Sequence, residues 1–177
     1  MRLMSRCCLA RYASPLGEML LASEGAALVG AWFVGQRYFG AGVDEAQACE
    51  ADSAPLRAAC AWLDAYFAGQ QPKPHHLLLA PKGSPFQQAV WQQLRRIPYG
   101  ATATYGELAA ELRAQGHRAC AQAVGGAVGR NPLSLFIPCH RVLGSRASLT
   151  GYAAGVKIKQ WLLTHENPLS GCRGVDA

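Results

Sequence analysis

The sequence contains no hydrophobic run long enough to cross a membrane. A membrane-spanning helix needs about 20 consecutive apolar residues. Arg2, Arg6 and Arg11 interrupt the apolar N-terminal stretch, where a secretion signal would need an unbroken apolar core. We therefore predict a cytoplasmic protein without membrane contact. Hydrophobic residues make up 50% of the 177 positions, a content that predicts a globular chain rather than a disordered one.

The sequence also lacks a regular cysteine framework. Its 7 cysteines are an odd number at irregular spacings, which is typical of thiols in a reducing compartment rather than of disulfides. Cys7, Cys8, His75 and His76 are residue types that bind zinc, but they do not form the CxxC or HxxxH spacing of structural zinc sites. We therefore predict no metal and no other cofactor.

Acidic residues are scarce in the second half of the chain. Residues 1–81 carry six Lys or Arg and seven Asp or Glu, whereas residues 82–177 carry eleven and four. The net charges are −1 and +7, so the basic charge belongs to the second half. This asymmetry favours a polyanionic partner such as nucleic acid, and a solubilising surface is the alternative interpretation.

The first half has the residue pattern of a small α/β domain. The short apolar segments EMLLAS and ALVGAWFVG are separated by Gly and Ser, which predicts a small antiparallel sheet. The segment GQQPKPHH then indicates a linker, so we predict an N-terminal domain over residues 1–80 and a C-terminal domain over residues 81–177. Between sheet and linker, four apolar residues recur at helical spacing: Leu56, Ala59, Leu63 and Phe67.

The second half is predicted to be mainly helical. Ser84 with Gln87, and Thr104 with Glu107, have the spacing of capping boxes at helix N-termini. The segment RACAQAVGGAVG predicts a further helix after a turn at Gly116. Helix, short turn and helix in a basic region are the arrangement of a helix-turn-helix. An ordinary helical hairpin is the alternative interpretation.

Two glycines single out the last of these helices. Gly125 and Gly126 lie inside it, where each glycine costs about 1 kcal/mol relative to alanine. A helix face without side chains can approach a nucleic-acid backbone closely, and packing against a second helix is the alternative. The residues predicted to contact DNA from this region are Arg118, Gln122, Ala123, Gly125, Gly126 and Arg130.

Cys139 differs from the other cysteines in its neighbours, NPLSLFIPCHRVLG. Pro138 stiffens the backbone before it, and His140 follows directly. Because adjacent side chains of an extended segment point to opposite faces, a turn or a bridging water is needed to bring the thiol and the imidazole together. Three other cysteines are interpreted as small buried hydrophobic residues: Cys49, Cys60 and Cys120.

A nucleophilic thiol at this position needs a base. An unperturbed thiol has a pKa of about 8.5, so only a few per cent is thiolate at neutral pH, and His140 is the neighbouring base. That base needs a carboxylate to orient it, and after residue 111 the sequence offers Glu166 and Asp176. Glu166 ends the amphipathic segment KIKQWLLTHE, whereas Asp176 lies in a tail expected to fray. We therefore select Glu166.

Several segments together resemble the O6-alkylguanine-DNA alkyltransferase family. They are IPCHRV, preceded by GRNP and followed by LTGYAAGVKIKQWLLTHE, with SPFQQAVWQQLRRIPYGATATYGELA upstream. The match is dense over residues 81–167 and weaker over SPLGEMLLA. The resemblance implies a ribonuclease H-like α/β N-terminal domain with a small antiparallel sheet. It also implies a mainly α, winged-helix-like C-terminal domain that holds the active site.

The resemblance further implies DNA repair by a monomer acting on double-stranded DNA that contains O6-alkylguanine. Cys139 would take the alkyl group from O6 of guanine, or more slowly from O4 of thymine, as a thioether, so each molecule acts once. His140 would deprotonate Cys139 through a water, and Glu166 would hold the other imidazole nitrogen. The resemblance also implies that Tyr105 donates a hydrogen bond to the guanine, that Asn131 braces the active-site turn and that Lys159 lies close to the cysteine loop. The backbone of Val142 and Ala153 would read the base, and Tyr152 would form a wall of the pocket.

The chain departs from the family pattern at Gln122. The family inserts an arginine from a segment typically reading Arg-Ala-Val-Gly into the space left by the extruded nucleotide, whereas this sequence reads QAVGG. Arg118, one helical turn earlier, is a possible substitute. Two other functions are alternatives: a non-catalytic lesion sensor, which the glutamine favours, and a turnover Cys-His-Glu hydrolase or acyltransferase, which leaves the helix-turn-helix unexplained.

Overall fold

The structure is a computed structural model, and it describes residues 7–45, 48–50 and 52–167. Within these ranges no helix combines the length and the hydrophobicity that crossing a membrane requires. The strands are β1 (Cys7–Ser14), β2 (Gly17–Glu24), β3 (Ala27–Phe33), β4 (Cys49–Glu50), β5 (Ala103–Thr104) and β6 (Val142–Leu143). The helices are α1 (Ala54–Phe67), α2 (Pro85–Leu94), α3 (Tyr105–Ala114), α4 (Ala121–Gly129) and α5 (Val156–Glu166).

The N-terminal half contains the predicted small sheet. Its strand order is β3-β2-β1-β4, and the three long strands pair antiparallel as predicted. The two-residue β4 is the exception, because it joins the edge of β1 in parallel. One face of the sheet packs on α1, and the other buries Leu20, Val29 and Trp32 against Phe39. The turn after β3 is thereby anchored to the sheet.

Helix α1 covers the sheet with an apolar stripe that differs from the prediction at one position. Ser53 caps its N-terminus by accepting a hydrogen bond from the backbone N–H of Leu56. Leu56 and Leu63 are buried as predicted, but Tyr66 is buried where Phe67 was expected. The spacing from Leu63 to Tyr66 is three residues, which keeps Tyr66 on the stripe facing the core.

The C-terminal half is helical, and both predicted capping boxes are confirmed. The Ser84 hydroxyl accepts from the Gln87 N–H, and the Gln87 side chain accepts from the Ser84 N–H. Thr104 and Glu107 make the same reciprocal pair at the start of α3. The two-residue strands β5 and β6 pair in parallel beside the helices. The expected mainly α, winged-helix-like domain is therefore present.

Helix α4 begins later than the sequence pattern suggests, and this corrects two predictions. Cys120 is its N-cap, with the sulfur accepting from the Ala123 N–H at 3.5 Å, so Cys120 is exposed rather than buried. Arg118 lies in the preceding loop and is not one turn earlier on the helix. The helical periodicity predicted an earlier start, but the helix begins after Cys120 because side chains that accept hydrogen bonds favour the N-cap over the helix interior.

A single hydrophobic core joins the two halves. The same cluster of buried side chains contains Met19 and Leu63 from the first half and Leu112 and Leu162 from the second. Strand β3 extends this contact through its backbone, since the Ala31 N–H donates to the Pro132 carbonyl at 2.8 Å. The segment that leads to Cys139 is therefore fixed directly to the sheet.

Candidate active site

Cys139 lies at the start of a single 3-10 turn, Cys139–Arg141, that follows Pro138. Its side chain is almost fully buried. The turn replaces the extended backbone on which alternation of side chains depends, so Cys139 and His140 are not forced to opposite faces of a strand. The sequence analysis required either a turn or a bridging water to bring the thiol and the imidazole together, and the structure has a turn at Cys139–Arg141.

Asn131 holds this turn through its side-chain amide. The amide nitrogen donates to the Ile137 carbonyl at 2.8 Å and to the Cys139 sulfur at 3.1 Å. The amide oxygen accepts from the Leu133 N–H at 3.0 Å. The side chain is buried, so these contacts fix both the loop and the position of the sulfur. The geometry matches the bracing implied for Asn131.

His140 and Glu166 form a fully buried pair. The Nε2 atom of His140 lies 2.6 Å from Oε1 of Glu166. Burial lowers the pKa of His140, although the carboxylate acts in the opposite direction. The other ring nitrogen, Nδ1, is buried and makes no hydrogen bond to the described residues. A neutral imidazole with Nε2 held by the carboxylate leaves Nδ1 as the atom that can accept a proton.

Glu166 is bound by more groups than the sequence indicates. Arg141 donates through Nε to Oε2 at 2.7 Å and through Nη2 to Oε1 at 3.0 Å. The Tyr66 hydroxyl donates to Oε1 at 2.7 Å, and the Gly100 N–H donates to Oε2 at 3.1 Å. Burial acts to raise the pKa of Glu166, but His140 and Arg141 together hold it well below its usual range. The carboxylate therefore remains ionised.

Arg141 explains how His140 can remain neutral beside an ionised carboxylate. Its guanidinium offsets the charge of Glu166, lies 5.6 Å from the ring centroid of Tyr99, and donates to the Ile97 carbonyl at 2.7 Å. In a buried site an unpaired charge is costly, and a bidentate arginine–carboxylate pair removes that cost. The network thus keeps the imidazole next to Cys139 in the chain in its neutral form.

The environment of the thiol has opposing effects on its ionisation. Burial raises the pKa of Cys139 above its ordinary value, and the hydrogen bond from Asn131 and the charge of Lys159 offset this increase only in part. Lys159 is completely buried, and its ammonium donates to the Val142 carbonyl at 2.5 Å and to the Thr150 carbonyl at 2.9 Å. Burial lowers the pKa of Lys159. Lys159 therefore lies near the cysteine loop, as the resemblance implied.

Cys139 opens into a cavity of about 580 Å³ between the two halves. Tyr105, Tyr152 and Ala153 line it, and their roles around a bound base remain predictions. The Tyr152 hydroxyl is buried and makes no hydrogen bond of ordinary geometry to the described residues. Burial, with the nearby Cys139 thiol, raises the pKa of Tyr152 well above its usual value. The Tyr152 hydroxyl is therefore neutral.

Val142 is placed differently from the other predicted base-reading residue. It is fully buried, and the cavity lining in the described part of the chain does not include it. Its carbonyl oxygen already accepts the ammonium of Lys159. A carbonyl has a second lone pair, so base reading by Val142 remains a prediction that requires this oxygen to be shared.

Helix α4 runs along one side of the cavity. Gly125 and Gly126 both line it, and a Cβ atom built on Gly125 would lie 3.8 Å from the ring of Tyr105. A Cβ atom at Gly125 would therefore make an ordinary contact, and one at Gly126 would meet open space, so packing between the helices does not require either glycine. Other predicted DNA-contacting residues are exposed on or near this helix: Arg118, Gln122, Ala123 and Arg130.

Sequence reasoning missed three groups of the Glu166 network and, among other residues of the cavity wall, the two that come from the N-terminal half. Arg141 carried a signal, because an arginine in an apolar run requires an acidic partner. Tyr66 had the pattern of a core residue of α1, and the Gly100 N–H has no side-chain signal at all. Arg37 and Tyr38 line the cavity from the turn after β3, and this long-range contact has no local pattern.

The described residues contain no group of three or more His, Cys, Asp and Glu side chains that could hold a metal ion. A buried thiol and, on the next residue, a neutral imidazole paired with an ionised carboxylate lie beside a cavity and a helix-turn-helix in a basic region. Fold and site together define a two-domain protein with a buried cysteine, a neighbouring base and a nucleic-acid-binding motif.

Comparison with known families agrees with this class. The model for the 6-O-methylguanine DNA methyltransferase DNA binding domain matches residues 85–168, and the model for its ribonuclease-like domain matches residues 9–81. The chain therefore belongs to the 6-O-methylguanine DNA methyltransferase family. The resemblance read from the sequence is confirmed, including the ribonuclease-like character of the N-terminal half.

Individual relatives support the same assignment. A methylated-DNA–protein-cysteine methyltransferase of Methanosarcina acetivorans is 48% identical over 111 residues, which are 63% of this chain and 69% of the relative. The enzyme of that name from Haemophilus influenzae is 40% identical over 88% of this chain and 83% of its own length. The crystal structure of Mycobacterium tuberculosis OGT in complex with DNA is 36% identical, with a TM-score of 0.79 over 91% of this chain and 93% of that chain.

Proposed function

We propose that this protein repairs duplex DNA by transferring the alkyl group of O6-alkylguanine, and more slowly that of O4-alkylthymine, to Cys139. The observation that carries the proposal is the position of the Cys139 sulfur. It is held by Asn131 and lies beside the His140–Glu166 pair at the wall of a cavity that α4 borders. Relatives of the chain bear the name methylated-DNA–protein-cysteine methyltransferase, and one is described in complex with DNA.

The reaction begins with extrusion of the damaged nucleotide. An O6 substituent inside the duplex is not accessible to a buried sulfur, and extrusion costs a few kcal/mol. The cavity of about 580 Å³ falls in the size range of small-molecule sites. Gly125 and Gly126 let the base pass close to α4. Phosphate contacts from the basic half supply the binding energy.

Alkyl transfer is a displacement at carbon. His140 accepts the thiol proton at Nδ1, through a water where the geometry requires one, and Glu166 stabilises the resulting imidazolium. The thiolate attacks the alkyl carbon, a carbon–sulfur bond forms, and the carbon–O6 bond breaks with its electron pair going to the guanine. The guanine takes up one proton, and Tyr105, which lines the cavity, would donate a hydrogen bond to the ring.

The product explains why each molecule acts once. A thioether has no easily displaced group, so neither water nor His140 regenerates the thiol. We also propose that the protein acts as a monomer, because one chain supplies every group of the site. It would work in the cytoplasm, where a reactive thiol stays reduced.

The experiment uses duplex DNA that carries O6-methylguanine with a labelled methyl group. The proposal expects one label per protein, attached to Cys139 in the peptide mass spectrum, with unmodified guanine left in the DNA. Label released into solution over many turnovers would identify a hydrolase instead. Binding of the duplex without any transfer would identify a lesion sensor. Either of these results would reject the proposal.

A further inference from the structure

The end of the cavity near the C-terminus of α4 contains two arginines and one aromatic ring. Arg37 and Tyr38 come from the turn after β3, and Arg130 follows the last residue of α4. The guanidinium carbons of Arg37 and Arg130 lie 5.0 and 5.1 Å from the centroid of the Tyr38 ring. Both cations therefore contact the same ring at the cavity wall.

Neither arginine has an acidic partner in the structure. The ion pairs formed by the described residues involve other side chains throughout. All three residues are also exposed. Two guanidinium groups that share one ring without a carboxylate form a local excess of positive charge, which an anionic ligand would neutralise with charge-assisted hydrogen bonds.

The turn that carries Arg37 and Tyr38 is fixed to the active-site half. The Arg37 N–H donates to the Ala153 carbonyl at 3.0 Å. The Gln36 side chain is buried, and its oxygen accepts from the Ser134 hydroxyl at 3.2 Å. Tyr38 has a φ of 60°, a left-handed conformation that is uncommon for an aromatic residue and is found where function constrains the backbone. The cluster is thus organised before any ligand binds.

The cluster lies at the opposite end of α4 from Gln122, the residue at the position that enters the space left by the extruded nucleotide, although its Arg130 is also among the predicted DNA contacts. Gln122 and Arg130 are eight residues apart, and a helix rises about 12 Å over that distance. If the N-terminal end of α4 meets the DNA, a base that enters beside Tyr105 leaves the far end of the cavity to the substituent on its O6 atom. A methyl group fills little of that space.

We propose that Arg37, Tyr38 and Arg130 form a specificity site for O6-alkyl groups that end in an anion, such as carboxymethyl. This inference rests on the function proposed above and names the substrate class of the same site. The reaction is unchanged: the Cys139 sulfur bonds to the CH₂ carbon, the carbon–O6 bond breaks, and the guanine takes up the proton. The product is S-carboxymethyl cysteine, whose carboxylate remains paired with the arginines.

The test compares three duplexes that differ in one substituent: O6-methylguanine, O6-carboxymethylguanine and its neutral analogue O6-(carbamoylmethyl)guanine. Single-turnover rate constants are measured for wild type, Arg37→Ala, Arg130→Ala and Tyr38→Ala. Wild type should prefer carboxymethyl over carbamoylmethyl. Each arginine variant should lower the ratio of the carboxymethyl to the methyl rate by about tenfold, as the loss of a hydrogen bond to a charged group predicts.

Two matched controls accompany the test. Tyr38→Phe keeps the ring and should keep the preference, whereas Tyr38→Ala should lose it. Arg57→Ala removes an exposed arginine of α1 that pairs with Asp52 outside the cavity, and its ratios should equal those of wild type. Circular dichroism confirms that each variant is folded.

Three results would overturn the inference. Ratios equal to wild type in the arginine variants would show that the cluster does not select the substituent. If each arginine variant slowed transfer equally with all three duplexes, the arginines would bind a part of the DNA that the duplexes share rather than the O6 substituent. Absence of methyl transfer to Cys139 in the wild-type protein would reject the proposed function itself, and the inference with it.

Discussion

Glu166 and the outer face of α4 both belong to the second half of the chain, but they differ in where their polar groups find hydrogen-bond partners. Glu166 accepts hydrogen bonds from Tyr66, Gly100, His140 and Arg141 within the protein. The side chain of Gln122 is exposed and makes no hydrogen bond to the described residues. The Glu166 network is therefore complete within the protein, whereas the face of α4 that is predicted to meet DNA leaves the Gln122 side chain free for a partner. Substitutions in the two regions should have different effects.

The largest effect should come from Cys139, on the buried side of this comparison. Cys139→Ala and Cys139→Ser should abolish alkyl transfer, because a hydroxyl has a far higher pKa than a thiol. DNA affinity should persist, since it depends on phosphate contacts at the surface. Peptide mass spectrometry and a binding titration measure the two properties separately. Cys120→Ser, at the exposed cap of α4, is the control that should keep transfer, and an alkyl group found on any cysteine other than Cys139 would contradict the assignment.

Glu166→Gln should affect both stability and reactivity. Removal of the carboxylate leaves the buried guanidinium of Arg141 without its charge partner, and loss of one member of a buried pair costs about 3–5 kcal/mol. The apparent pKa of the thiol should rise, so transfer should slow most near neutral pH and recover in part at alkaline pH. Urea unfolding and a pH–rate profile check the two effects.

Glu18→Gln is the matched control for that variant. Glu18 pairs with Arg11 on the surface, where the loss of an ion pair costs no more than about 1 kcal/mol. A Glu166→Gln protein with the stability of this control, and with an unchanged pH–rate profile, would remove Glu166 from the network.

Acid should destabilise the protein in two stages. The pKa of buried His140 is lowered, so as pH falls the unfolded chain binds a proton at this histidine before the folded protein does. The contribution of neutral His140 to the free energy of unfolding is therefore complete above about pH 6.5 and is lost as pH falls below that value. The pKa of Glu166 is also lowered, so its contribution is lost at still lower pH, below about 4.3. Urea unfolding at pH 7.5, 5.5 and 4 measures both stages. Equal stability at pH 7.5 and 5.5 would show that His140 is not buried in its neutral form.

Gln122 tests the exposed side of the comparison. Gln122→Arg should speed repair of O6-methylguanine in duplex DNA, because a longer cationic side chain reaches both the orphaned base and the phosphates. The gain cannot exceed the few kcal/mol of the flipping equilibrium, and Gln122→Ala should be slower than wild type. A free O6-alkylguanine base needs no flipping, so its rate should not change. If duplex and free base respond alike, Arg118→Ala is the next variant to measure.

The smallest effect should come from Tyr66→Phe, which removes one donor from Glu166 and leaves the others. The expected loss is about 1 kcal/mol in the free energy of unfolding, with alkyl transfer retained. Tyr12→Phe is the control, because the Tyr12 hydroxyl donates to Asp64 at an exposed position, where water can replace the bond. Equal losses in the two variants would mean that burial does not strengthen the bond to Glu166.

Much of the site was predictable because its residues are scarce or adjacent. With two acidic residues after position 111, Glu166 was the natural partner of His140, and the structure places the two side chains in contact. Capping boxes at Ser84 and Thr104 fixed the starts of α2 and α3, since each depends on residues three positions apart.

The remaining features depend on contacts between distant segments or on competition between local effects. Tyr66 lies 100 residues from Glu166 in the chain, and a buried tyrosine on α1 has the same pattern whether or not its hydroxyl finds a carboxylate. Arg118 was misplaced because helical periodicity continues through it, while the polar cap at Cys120 starts the helix three residues later.

The hydrogen bond from Tyr66 also limits how modular the protein can be. The two halves match separate family models, as two exchangeable domains would. However, Tyr66 on α1 of the N-terminal half donates a hydrogen bond to Glu166 in the C-terminal half. A chimaera that joined residues 81–167 to a foreign N-terminal half would keep every residue of the Cys139 turn. It would preserve the Glu166 network only where the new helix presented a hydroxyl donor in the same place, so recombination between relatives is constrained by one atom of the opposite domain.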